Sequence, residues 1–131
     1  VIGLDTNVLV RYLVEDDPAQ SARAARLITA AARSGEQLFV TTVVLCELTW
    51  VLAAGYKTPK HELLTVLRNL LRARQLTFES QDVLIRAIDA FEKGRGDLSD
   101  YVIREAARAA GCPQVVTFDK ALLKEPGFAP V

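Results

Sequence analysis

Four short apolar runs, separated by stretches of helical length, constrain this chain more than anything else in it. They are Val1-Ile-Gly-Leu4, Leu38-Phe-Val-Thr41, Leu76-Thr-Phe78 and Val115-Val-Thr-Phe118. The first is too short for a helix and suits a buried strand, and the other three also read as strands. The segments between them carry helix signals. Asp17-Pro18 and Thr58-Pro59 each read as a cap followed by proline at the first helical position. Ser80 and Asp97 read as further caps, and Ser34-Gly35, Gly94-Arg-Gly96 and Gly111 as stops. Helices are expected from about Val8 to Val14, from Pro18 to Arg33, from Val43 to Gly55, and through Arg72, Lys93 and Gly111, with a short last one over Lys120–Lys124. Strands alternating with helices predict an α/β fold, a three-layer α/β/α sandwich with a mostly parallel central sheet. With 131 residues, half of them hydrophobic, one domain over 1–131 is expected.

Within this frame the acidic residues stand out. Asp5 is the only charged residue in the first ten, and Glu47 the only one between Gln37 and Tyr56. Asp97 and Asp100 open a helix, and Asp119 closes the uncharged run from Ala109 to Phe118. An ionised carboxylate near a core is costly unless something positive meets it. Ligands of parallel sheets bind beyond the carboxyl ends of the strands, and the element order predicts all four sites around one such end. Converging carboxylates repel one another, so a shared divalent cation is the simplest account. All-oxygen ligation selects Mg²⁺ or Mn²⁺ over zinc, and the natural reaction is phosphodiester hydrolysis.

Each acid also has a plainer reading. Asp5, Asp97 and Asp119 suit N-caps. Asp97 and Asp100 have capping-box spacing, and Asp100 is four residues from Arg104. Glu47 resists this treatment, for it lies in the second turn of a helix flanked by Val43, Val44, Cys46, Leu48, Trp50 and Val51, and only a pair with a distant arginine competes. Arg11 is a candidate contact for phosphate or a protein partner, with a pair to Glu15 as its alternative. His61 reads as a surface residue, and Trp50 as packing rather than base stacking.

Composition narrows the classes. Sixteen basic residues balance sixteen acidic ones, so no overall field attracts nucleic acid or a membrane. Arginine outnumbers lysine, which suits bidentate phosphate contacts, although most of these arginines read as helix-surface residues. Cys46 and Cys112 have no CxxC or Cys/His neighbourhood and argue against zinc. No apolar run approaches bilayer length and the chain opens on a strand without a signal-peptide pattern, so a reduced, cytoplasmic, soluble protein is expected.

Taken together, Asp5-Thr6-Asn7, a lone Glu47, Asp97-Leu-Ser-Asp100-Tyr-Val-Ile103 and Val116-Thr-Phe-Asp119 resemble the PIN-domain ribonucleases, and among these the stand-alone toxins of prokaryotic toxin–antitoxin pairs. The resemblance covers essentially the whole chain and rests on the order of four blocks rather than on any one. It implies a Mg²⁺-dependent endoribonuclease with Asp5, Glu47, Asp100 and Asp119 as metal-binding quartet and Asp97 as a further acid or helix cap. It places Asn7 and Thr117 as supports for the carboxylates or water. It also implies a structured tRNA or rRNA substrate, an antitoxin partner and a homodimer. A PIN nuclease of RNA processing that is not a toxin is the near alternative. An aspartyl-phosphate phosphatase wants a second Asp where Asn7 stands. A phospho-accepting receiver domain wants a pair of acids after the first strand and an Asp where Glu79 follows the third.

Overall fold

The computed structural model describes residues 1–131. Backbone contacts divide the chain into two compact units, Val1–Glu79 and Ser80–Val131. In the first, three strands form a wholly parallel sheet of order β1-β2-β3: β1 (Ile2–Gly3), β2 (Leu38–Val40) and β3 (Leu76–Phe78). The register sets Ile2 against Leu38, and Leu38 against Leu76. Parallel neighbours need long crossovers. These are supplied by α1 (Thr6–Leu13) with α2 (Pro18–Ser34), and by α3 (Thr42–Trp50) with α4 (Lys60–Arg72).

Burial follows position in this sheet. Leu38 and Val40 of the central strand are fully buried. In β3, Leu76 and Phe78 point inward while Thr77 is exposed, the period-2 signature of a half-covered strand. The expectation of a buried first strand is corrected: Val1, Ile2 and Gly3 are exposed, and only Leu4 is buried. β1 is a two-residue edge strand paired on one side only, so its apolar residues have no second neighbour to cover them.

Local chemistry fixes the helices. The Asp17 carboxylate accepts a hydrogen bond from Gln20 N (3.1 Å) and Pro18 fills the first position of α2, as the sequence predicts. Its inner face is Ser21, Ala24, Ile28 and Ala31, a 3–4 spacing. Helix α4 buries Leu63, Leu64, Leu67 and Leu70, each stabilising the core by roughly 1.5–3 kcal/mol. It begins one residue later than Thr58-Pro59 suggests: Pro59 is its N-cap, and no side chain caps it. Helix α3 is capped by the Thr41 hydroxyl, which accepts from Val44 N (3.2 Å). At Val51 it widens into a π-helical turn, Val51–Gly55, where an uninterrupted α-helix was expected.

The second unit holds α5 (Gln81–Lys93), α6 (Leu98–Ala109) and the parallel pair β4 (Val115–Thr117) and β5 (Phe128–Pro130). β5 was not anticipated. It is held by α6 rather than by its own pattern. Arg104 Nη1 donates to Pro126 O (3.0 Å), and its guanidinium lies over the rings of Tyr101 and Phe128. Gly127 has φ +89°, and a Cβ there would meet the Arg104 and Arg108 side chains, so only glycine lets the segment approach this closely. The sequence suggested an Arg104–Asp100 pair. Arg104 instead donates from Nε to Glu105 (2.9 Å), which also accepts from Arg108 (3.0 Å).

Candidate active site

Asp5 sits just past β1 as the N-cap of α1, its Oδ1 accepting from Thr6 N (2.8 Å). Glu47 reaches it from the second turn of α3 through an intermediary: Thr6 Oγ1 donates to Glu47 Oε1 (3.1 Å). Thr6 thus ties the two carboxylates with its amide and its hydroxyl, and each acid keeps a second oxygen outside these bonds. Both line one depression of about 380 Å³ on the first unit, together with Asn7, Arg11 and Tyr56. The sequence pointed to Asn7 as the supporting side chain. Asn7 lines the depression, but the hydroxyl that braces a carboxylate is that of Thr6. Its place directly after Asp5, as the first residue of α1, was the available signal.

The premise that brought Glu47 forward is corrected by its placement. Asp5, Glu47, Asp97 and Asp119 are exposed, and Asp100 is half-buried. Helix α3 turns Val44, Leu45, Leu48 and Thr49 inward and Val43, Glu47 and Trp50 outward. The apolar neighbours of Glu47 in sequence are therefore its neighbours around a helix, not its surroundings. Of the core or interface packing expected for Trp50, core packing is corrected, for the residue is 69% exposed. Arg11 pairs with Asp16 (2.8 Å), not Glu15, and its Nε donates to Gln20 (2.7 Å). His61 is exposed at the start of α4, as expected.

In the second unit, Asp97 and Asp100 form the capping box that their spacing suggests, with Asp97 N donating to Asp100 Oδ2 (2.8 Å). Asp119 accepts from Ala121 N (2.9 Å), and its own amide donates to Thr117 Oγ1 (3.0 Å), so Thr117 orients the turn that presents Asp119. Burial pushes the Asp100 carboxyl above its ordinary range, and the negative charges of Asp97, Asp119 and Glu125 push the same way. The hydrogen bond within the capping box opposes them. Asp97, Asp119 and Glu125 therefore each lie within electrostatic reach of Asp100. Glu125 is an acid the sequence did not single out, and it is engaged by the buried Tyr101, whose hydroxyl donates to it (2.7 Å) and accepts from Gly96 N (2.9 Å).

These donors fit a hard divalent cation. They are carboxylate oxygens, they are accessible, and those around Asp100 repel one another in a way a cation would relieve. Neither unit gathers three such ligands into a closed cage.

A parallel α/β protein with paired carboxylates just beyond its first two strands is defined as a class by these features. The chain belongs to the PIN domain family, whose profile matches residues 2–128, and with it comes the α/β class expected from the sequence. The chain is also similar to the VapC ribonuclease of Aquifex aeolicus (strain VF5), at 28% identity over 129 residues, covering 98% of this chain and 93% of that protein. No helix is long and apolar enough to cross a membrane.

Proposed function

We propose that this protein is a divalent-metal-dependent endoribonuclease that hydrolyses RNA phosphodiester bonds and serves as the toxin of a toxin–antitoxin pair. The observation that carries the reading is the meeting of Asp5 and Glu47 in one depression, tied by Thr6. Membership of the PIN domain family and similarity to a protein named as a VapC ribonuclease support it.

In this reading Asp5, Glu47, Asp100 and Asp119, the set that the resemblance to PIN-domain ribonucleases implies, supply carboxylates to Mg²⁺ or Mn²⁺. When bound, the ion supplies positive charge for the attacking and leaving oxygens of an in-line displacement. The residues do the rest. Thr6 holds Glu47, Thr117 holds the Asp119 turn, and Asp97 fixes the first turn of α6 so that Asp100 keeps one orientation. Asp97 acts as cap and support rather than as ligand. The balanced charge of the chain makes the antitoxin contact largely apolar. A homodimer acting in the cytoplasm on structured tRNA or rRNA completes the proposal.

The test is cleavage of a defined RNA panel in Mg²⁺, Mn²⁺ and EDTA by wild type and Asp5→Asn. Cleavage that needs the cation and is lost in the variant, with unchanged circular dichroism, is the expected result. Undiminished cleavage by a clean Asp5→Asn preparation would sink the assignment. Growth arrest on expression, relieved by a small co-expressed antitoxin, tests the biological role. Metal-dependent cleavage without growth arrest would leave an RNA-processing nuclease.

A further inference from the structure

Arg11 stands at the junction of two depressions on the first unit. The acidic one, described above, contains Arg11 as its only basic residue. The other, of about 400 Å³, shares Asn7 and Arg11 with it, adds Gln20 and Arg23, and has no acid in its lining. A surface that passes from paired carboxylates to paired guanidiniums is organised by charge.

The Arg11 side chain is braced from two directions. Its Nε donates to Gln20 Oε1 (2.7 Å) on α2, and its Nη1 to Asp16 Oδ1 (2.8 Å) in the turn before α2. The second oxygen of Asp16 accepts from the Tyr56 hydroxyl (2.6 Å). Tyr56 is delivered by the π-helical turn Val51–Gly55 and is followed by Lys57 with φ +54°, a conformation non-glycine residues seldom adopt. An exposed Arg–Asp pair contributes little to stability, yet here a widened turn and a strained residue accompany its buttress. Since the guanidinium is planar, bonds at Nε and Nη1 fix its plane, and a guanidinium held in one orientation suits contact with a phosphate.

We propose that the Arg11–Arg23 depression is the track for the RNA phosphodiester backbone next to the scissile bond, and that Asp16, Tyr56 and Gln20 are positioning residues that hold Arg11 toward it. The proposal rests on the ribonuclease reading and adds where the strand runs. Arg11 and Arg23 each neutralise a backbone phosphate. Binding at this track is independent of base identity and sensitive to salt.

The test is anisotropy of labelled single-stranded RNA over a salt series, with Ca²⁺ replacing Mg²⁺ and RNA integrity checked on a gel, alongside cleavage kinetics in Mg²⁺. Arg11→Ala and Arg23→Ala each reduce the slope of log affinity against log salt by about 0.7, the value for one phosphate on a single strand. Arg23→Ala raises KM more than it lowers kcat, because it removes binding that ground and transition states share. Asp16→Asn gives a test of sign. Were Asp16 only a negative charge near the strand, its removal would tighten RNA binding; as a brace, its removal weakens binding severalfold. Tyr56→Phe, which alters no charge, weakens binding in the same direction, and neither change has an effect once Arg11 is alanine. Arg23 is exposed, so its variant keeps the test open if an Arg11 variant fails to fold. Unchanged salt slopes in both arginine variants, or tighter binding by Asp16→Asn, overturn the track while wild-type cleavage keeps the ribonuclease reading. Loss of affinity for an acidic protein partner with RNA binding intact also overturns it. Wild type that neither binds nor cleaves RNA removes both.

Discussion

Glu105 offers the sharpest test of how the second unit is held together. It is 5% exposed and bridges Arg104, also buried, and Arg108, which is 43% exposed at its side chain. Glu105→Ala leaves the Arg104 guanidinium buried with only Pro126 O and the faces of Tyr101 and Phe128 as partners. Breaking a buried pair costs about 3–5 kcal/mol. The two ring contacts are present with and without Glu105, so they do not offset the loss, and the lower end of that range applies because Pro126 O remains as a partner. A net loss of about 3 kcal/mol is expected, which at a urea slope near ~1.5 kcal/mol/M lowers the unfolding midpoint by about 2 M. The double variant Arg104→Met/Glu105→Leu removes both charges and fills similar volume, so it should recover part of the loss, less the Arg104 bond to Pro126 O and its ring contacts. Arg108 is exposed enough to tolerate the change. Equilibrium urea unfolding followed by circular dichroism decides the matter. A midpoint within ~0.3 M of wild type for Glu105→Ala, equivalent to about 0.5 kcal/mol, would refute the reasoning. So would a double variant less stable than the single one, since the loss would then not arise from a stranded charge.

Other consequences are open to direct measurement. Thr6→Val keeps both carboxylates but frees Glu47, and support of this kind is typically worth about 10–100-fold in metal affinity or activity; Mn²⁺ titration and RNA cleavage should both show it. The Tyr56 hydroxyl is the main cause holding the Asp16 carboxyl below its ordinary range, with Arg11 adding to it and loss of hydration opposing. Tyr56→Phe should therefore move the Asp16 titration upward in a carbon-detected NMR pH series. Because the folded value is the depressed one, the stabilisation Asp16 gives is present above the unfolded carboxylate range and is lost as pH falls through the folded value. Gly94→Ala places a Cβ against the Tyr101 hydroxyl and the Glu125 carboxylate, and should lower the melting temperature through about 1–3 kcal/mol of overpacking.

The elements readable from sequence are those whose signals are local. Asp17-Pro18 starts α2 where it should, and Leu76-Thr-Phe78 forms the strand it suggests. The Asp97–Asp100 capping box also needs nothing beyond its own four residues. What was hidden depends on distant partners. Phe128–Pro130 becomes a strand because Arg104 and β4 hold it. Glu47 was singled out for its apolar neighbours, although a run around a helix faces every direction, and the residue points to solvent. Thr6 and Glu47 lie 41 positions apart, so the bond that joins them was invisible from either end. Arg11 illustrates the same limit at short range. Spacing favoured Glu15 one helical turn on, but α1 ends at Leu13, and the turn beyond brings Asp16 within reach instead.

On the proposed reading, the exposure of Asp5 and Glu47 separates what the protein does from whether it folds. Asparagine caps a helix about as well as aspartate, so Asp5→Asn should leave α1 in place, and Glu47→Gln exchanges one exposed polar group for another. Under relaxed selection such a chain can lose its chemistry through a single base change and persist as an intact, inert scaffold. The reverse step is equally short. Descendants of a fold built this way can drift between active and silent states without crossing a valley of instability.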